Sequence, residues 1–126
     1  ILLAHQRFLL KLKEATMGRQ AIDMVPYARD AAQLMAANVR TTRINRRWTM
    51  EELGARAKCS RYVVSEIESG SPSVAFGHVL NVCSALGIAL FVPTPAELAR
   101  LARAQHEVVR LMPNRVMPKA GPSDDF

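Results

Sequence analysis

The chain has 126 residues, and 17 Lys and Arg against 11 Asp and Glu leave it at +6, so it reads as one domain with arms and a charge suited to a polyanion such as nucleic acid. It contains no uninterrupted apolar run of about 18 residues, which argues against a membrane span. Cys59 and Cys83 stand apart from each other and from any metal-ligand spacing, so each fits a buried apolar role in a reducing cytoplasm.

Residues 1–15 set Leu2, Leu3, Leu9, Leu10 and Leu12 against Arg7, Lys11, Lys13 and Glu14. This predicts a helix that packs on the domain or a partner, with a membrane surface as the alternative. Gly18 ends it, and Met17-Gly18 is a conceivable natural start. Residues 18–26 read as a connector. The first helix of the central domain is expected from Tyr27 or Asp30 to Arg47. Asp30 would then sit in its first turn and Arg46 and Arg47 in its last, as the helix dipole favours. Leu34, Met35, Val39 and Thr42 fall near one face. Trp48, just before the next N-cap, suits the outer member of a hydrophobic staple and a place in the core.

Residues 49–70 predict two short helices joined by a tight turn. Thr49 is an N-cap, and Glu52 completes a capping box. Leu53 and Ala57, one turn apart, face inward. Lys58-Cys59 makes the turn, and Ser60 caps the second helix. That helix carries Val64 and Ile67 on one face and Arg61, Tyr62, Ser65, Glu66 and Ser69 on the others. Gly70 closes it as a residue free to adopt positive φ. A buried stripe beside an exposed face of hydrogen-bonding groups is what a helix lying in a major groove needs.

Ser71-Pro72-Ser73 is a turn, with Ser73 available to cap the next helix. Val74, Phe76, Val79, Leu80, Val82, Cys83 and Leu86 make that helix apolar on more than one side, so one face should cover the preceding helices and another a second subunit. His78 is placed at that interface. After Gly87, the run 88–92 predicts a strand, whose backbone groups require a partner; the same strand of a second copy is the simplest. Val79, Val82, Leu86, Ile88, Leu90 and Val92 are therefore the expected dimer interface. Thr94, Pro95 and Glu97 open a further helix with N-cap, N1 proline and capping box. Leu98, Leu101, Ala102, Val108, Val109 and Met112 recur along it, opposite Arg100, Arg103, Glu107 and Arg110. Pro113 stops it, and residues 117–126 read as a flexible tail.

Thr49, Leu53, Cys59, Ser60, Val64, Ile67, Glu68 and Gly70 fall where the Xre-type helix-turn-helix repressors of the lambda-repressor and Cro kind carry their motif. The chain resembles that family over residues 33–92, about half its length. Met50 departs from the usual glutamine, which commonly bonds the DNA backbone, and Lys58 from the usual turn glycine. A lysine there would take a left-handed φ at about 1 kcal/mol. The resemblance implies base contacts from Arg61, Tyr62, Ser65 and Glu66, with Arg61 reading guanine. It implies backbone contacts from Thr49, Arg40, Arg43, Lys58 and Ser69, and a pairing of Arg43 with Glu68 that buttresses the recognition helix. The Leu-Gly ending and the run 88–92 look like the HipB-like antitoxin branch, whose dimer also binds a kinase-like toxin.

The expectation is thus an all-α, five-helix lambda-repressor-like domain over residues 30–92 with a short dimerising β-strand. An N-terminal arm (1–29), a C-terminal helix (93–112) and a tail (113–126) flank it. Its function would be a dimeric repressor of the cytoplasm and nucleoid that binds duplex DNA at an inverted repeat and excludes polymerase, or an antitoxin that also binds a toxin protein. Separate histidines and the lack of a Gly-rich phosphate loop argue against an enzyme and for no cofactor or metal.

Overall fold

The computed structural model describes residues 3–7 and 22–119. Residues 3–7 are helical; the rest of the helix expected over 1–15, the connector up to residue 21 and the tail beyond 119 lie outside the described residues. Every regular element of the described residues is a helix. Besides residues 3–7 these are α1 (Pro26–Asn45), α2 (Met50–Ala57), α3 (Arg61–Glu68), α4 (Phe76–Leu86) and α5 (Pro95–Arg110). The chain divides into two compact units, residues 1–88 and 89–126.

In the first unit, α2 packs on α3 and α4, and α1 lies against α3 and α4. Val39 of α1, Leu53 and Ala57 of α2, Val64 and Ile67 of α3, and Val82, Cys83 and Leu86 of α4 form one buried cluster. Burial pushes the Cys83 thiol above its ordinary range, and that of half-buried Cys59 likewise, so both are held as poor nucleophiles. No helix of the described residues is long and apolar enough to cross a membrane.

The boundaries follow local chemistry. Thr49 Oγ1 accepts from Glu52 N at 3.0 Å and Ser60 Oγ from Val63 N at 3.2 Å, each satisfying a donor of a first turn. α1 begins earlier than expected, with Pro26 at its first position, where a missing N–H costs nothing. Asp30 therefore lies beyond the first turn. At its other end Arg47 takes φ +58°, which stops the helix two residues before the expected end. α4 starts at Phe76 with Ala75 as an uncapped N-cap; Ser73 is engaged with Ser71 instead, their hydroxyls 3.2 Å apart. Gly87 closes α4 at φ +71°, and Ile88 N donates back to Cys83 O at 2.8 Å.

Residues 88–92, expected as a strand, form none: 88 and 89 have no regular structure, and 90 and 91 lie in a bend. A strand is held by ladder hydrogen bonds, and a single copy supplies no second strand among its described residues. α4 is also less uniformly apolar in its packing than its composition implies, since Phe76, Gly77, Asn81 and Ser84 are exposed.

Lys58 takes φ +59° and ψ +39° at the end of α2. The left-handed region crowds a Cβ against its own carbonyl, at a cost of about 1–2 kcal/mol. Lys58→Gly is therefore expected to raise stability by about 0.5–1 kcal/mol, the larger unfolded-state entropy of glycine offsetting part of the relief. Urea unfolding followed by circular dichroism checks it; a loss of stability would mean that the lysine stem contributes packing outweighing its strain.

The second unit contains α5. Thr94 Oγ1 accepts from Glu97 N at 3.2 Å and Pro95 fills the first position, two of the devices read from the sequence. No residue of α5 is buried.

Candidate nucleic-acid interface

α3 is held on its inner side by three devices. Val64 and Ile67 enter the core. Gly70 at φ +76° lets the chain turn away, with Ser71 N donating to Glu66 O at 3.1 Å. Glu68, the last residue of α3, accepts from Arg43 Nε at 2.6 Å and Arg43 Nη2 at 2.9 Å. Arg43 Nη1 meanwhile donates to Trp48 O at 2.9 Å, so one guanidinium ties the end of α1, the entry to α2 and the end of α3. The two side chains are 11% and 3% exposed. The hydrogen bond to Glu68, opposed by burial and helped by the charge of Glu68, holds the Arg43 guanidinium above its ordinary range.

The same α3 presents Arg61, Tyr62 and Ser65 outward, with Glu66 half-buried beside them. Arg61 is its first residue and stands at the end that a helix pointing into a groove would offer to the bases. Tyr62, Val63 and Glu66 line an open cleft of about 580 Å³ with Ser73, Val74 and Ala75 from the start of α4, and with Ile22 and His78. His78, placed at a subunit interface by the sequence reading, lines this cleft beside α3. Ser73 and Ile22 were not anticipated there either, because nothing local in a sequence reports which turn will fold back on a helix.

The residues expected to touch phosphates separate into two groups. Arg43 has its donors directed to Glu68 and Trp48 and is spent inside the domain. The Thr49 hydroxyl caps α2 and lies 3.3 Å from Glu52 Oε1, and the Ser69 hydroxyl donates to Glu66 O at 2.8 Å. Arg40 remains outward, its side chain 61% exposed and 3.9 Å from Glu68 Oε1, and Lys58 projects from the turn before α3. Glu51 and Glu52 in the first turn of α2 set negative charge where a phosphate would otherwise find the helix N-terminus. Between residues 22 and 88 eight Lys and Arg face six Asp and Glu, a net of only +2. Of the exposed cations among these residues, Arg40, Lys58 and Arg61 lie on α3 or beside it.

Of the apolar positions expected at a dimer interface, Val82 and Leu86 are buried in the core and are not available to a second copy. Val79, Ile88 and Val92 are half-buried, and Leu90 is exposed. The described residues contain no group of three His, Cys, Asp or Glu that could hold a metal ion.

The chain is similar to a protein from Neisseria meningitidis serogroup B (strain ATCC BAA-335 / MC58) named as a Neisseria hypothetical transcription factor. The two are 27% identical over 100 residues, which cover 79% of this chain and 87% of the other. No protein-family model matches the chain, and no solved structure matches it.

Proposed function

We propose that this chain is a sequence-specific DNA-binding regulator of transcription that reads duplex DNA with α3 and acts as a dimer on an inverted repeat, repressing by excluding polymerase. The observation that carries the reading is the division of α3. Its inner face is fixed by Val64, Ile67 and the Glu68–Arg43 pair, while Arg61, Tyr62 and Ser65 stand exposed behind a tight turn from α2. A rigidly seated helix with a polar outer face has the width and chemistry that a major groove accepts. The resemblance of residues 33–92 to Xre-type repressors and the name of the Neisseria relative support the same reading. It makes the protein a binder rather than an enzyme and places it where DNA is, in the cytoplasm and nucleoid.

Each residue then has a task. Arg61 bonds guanine O6 and N7 together, Tyr62 packs on a thymine methyl, and Glu66 accepts from a cytosine amino group, with Ser65 making short base contacts. Arg40 and Lys58 position the domain on phosphates. Thr49 and Ser69 contribute through the ends of α2 and α3 rather than through free hydroxyls. Two copies would place their α3 helices about one turn of DNA apart.

The test is recovery of sheared genomic DNA by the purified protein at moderate salt, followed by sequencing. One palindromic site should be enriched, and Arg61→Ala should weaken binding to it by about 10- to 100-fold, the 1–3 kcal/mol of a lost bidentate base contact, while changing binding to random duplex little. Uniform recovery that vanishes as salt rises, unaltered by Arg61→Ala, would overturn the reading.

A further inference from the structure

Helices α1 to α4 each run out into a residue of positive φ: Arg47 at +58°, Lys58 at +59°, Gly70 at +76° and Gly87 at +71°. Glycine enters that region freely, whereas any other side chain sets its Cβ against the following carbonyl. The two residues that accept the crowding are both cations, and they bracket α2, one ahead of its N-cap and one at its end. Arg47 N donates to Ile44 O at 2.9 Å and Trp48 N to Arg43 O at 3.2 Å, the paired bonds that close a helix in this conformation. The closure needs the φ and not the side chain, so glycine would complete it with less strain.

The neighbouring arginines all have tasks inside the domain. Arg43 is bonded to Glu68 and to the Trp48 carbonyl. Arg46 donates to Leu86 O and Ala85 O, and its guanidinium and that of Arg56 lie over the Trp48 ring. The exposed Arg47 side chain makes no hydrogen bond, ion pair or ring contact among the described residues. It stands beside the reading surface nonetheless. Trp48 O, one residue on, shares the Arg43 guanidinium with Glu68, the last residue of α3, and Arg40 lies 3.9 Å from the same carboxylate. Glu51 and Glu52 in the first turn of α2 repel phosphate there, so a DNA strand can pass this end only where a cation offsets them.

We propose that Arg47 contacts a DNA phosphate at the entry of α2 and so positions the C-terminal end of α3, as Lys58 does the N-terminal end. This rests on the reading of α3 as the helix that reads DNA. An exposed guanidinium is always charged, and its fork meets a phosphate with two N–H groups. A helix seated in a groove is bordered by two phosphate strands, and cations at both ends of α3 suit that arrangement.

The test uses the full chain on the duplex enriched from genomic DNA and on a random duplex, by fluorescence anisotropy at several concentrations of monovalent salt. Arg47→Gly should reduce the slope of log affinity against log salt by about 0.9, the release expected for one phosphate contact. Affinity at 0.15 M salt should then fall about fivefold, on both duplexes alike, unlike the sequence-selective loss from Arg61→Ala. Thermal unfolding of the same variant should show equal or higher stability, which separates a lost contact from a disturbed fold. Arg47→Lys should restore the slope. An unchanged slope in Arg47→Gly, or a loss that Arg47→Lys leaves unrepaired, overturns the assignment while Arg61→Ala still tests α3 on its own. Where no duplex is preferred and Arg61→Ala is silent, the reading of α3 falls and the assignment with it.

Discussion

Glu68→Ala is expected to cost the first unit about 3–5 kcal/mol, the range for removing one partner of a buried ion pair. The Glu68 side chain is 3% exposed and receives two short bonds from Arg43, with Arg40 Nη1 3.9 Å away. Truncation strands a guanidinium that is itself largely covered, and the penalty is desolvation without compensation rather than the loss of one contact. A small domain has only about 5–15 kcal/mol in total, so much of the population would unfold under mild urea. Arg43→Ala should cost as much or more, because it also strands the Trp48 carbonyl. Arg43→Met combined with Glu68→Leu should recover most of the loss, since an apolar pair of similar volume carries no desolvation debt. Urea titrations of the single and double variants decide it. A single-variant loss under about 1 kcal/mol would mean the pair behaves as a surface one. The pH dependence from the arginine side is flat through acid and neutral conditions. A group whose folded value is raised stabilises fully below its unfolded value and gives that up only as pH climbs through the folded one, which for Arg43 lies in strong alkali.

Gly54→Val should be as damaging. A Cβ on Gly54 would stand 2.6 Å from the Cys59 carbonyl oxygen and 3.3 Å from the carbonyl carbon of Ser60, both backbone atoms of the turn that delivers α3. Backbone cannot swing aside as a side chain does, so the turn itself must move. Alanine gains about 1 kcal/mol of helix propensity over glycine, yet Gly54→Ala is expected to lose about 1–2 kcal/mol net; valine, branched at Cβ and a poorer helix former, should lose about 3 kcal/mol or more. Because the displaced atoms precede Arg61, affinity for the enriched duplex should fall further than stability alone accounts for. Thermal unfolding beside an electrophoretic shift assay separates the two. An alanine variant with a higher melting temperature and unchanged affinity would show that the turn relaxes freely.

What could be read from the sequence is what local chemistry determines. Thr49, Ser60 and Thr94 announce helix starts because a hydroxyl there has one geometric task, and Gly70 and Gly87 announce ends because only a positive φ continues the chain. Arg43 and Glu68, 25 residues apart, could be proposed as a pair only through a family resemblance; no periodicity links them. Nothing in the sequence around Gly54 marks its requirement, because that comes from the carbonyl of a neighbouring turn. Ser73 was read as a cap because its type permits one, but Ser71 engages it first. The run 88–92 carries strand composition without strand structure, since composition says nothing of whether a second strand is present. Val82 and Leu86 lie on a helix with too many apolar residues to rank by pattern, and packing turns them inward.

Arg46 and Trp48 fix the end of α4 to the elements before it. Arg46 Nη2 donates to Leu86 O at 2.7 Å and Nη1 to Ala85 O at 3.4 Å, so α1's exit grips the final carbonyls of α4. Its guanidinium also stacks on Trp48, 5.1 Å from the ring centroid, and Arg56 of α2 stacks there at 4.2 Å. Gly87 and Ile88 therefore follow carbonyls that are fixed to the exit of α1 and, through the Trp48 ring, to Arg56 of α2.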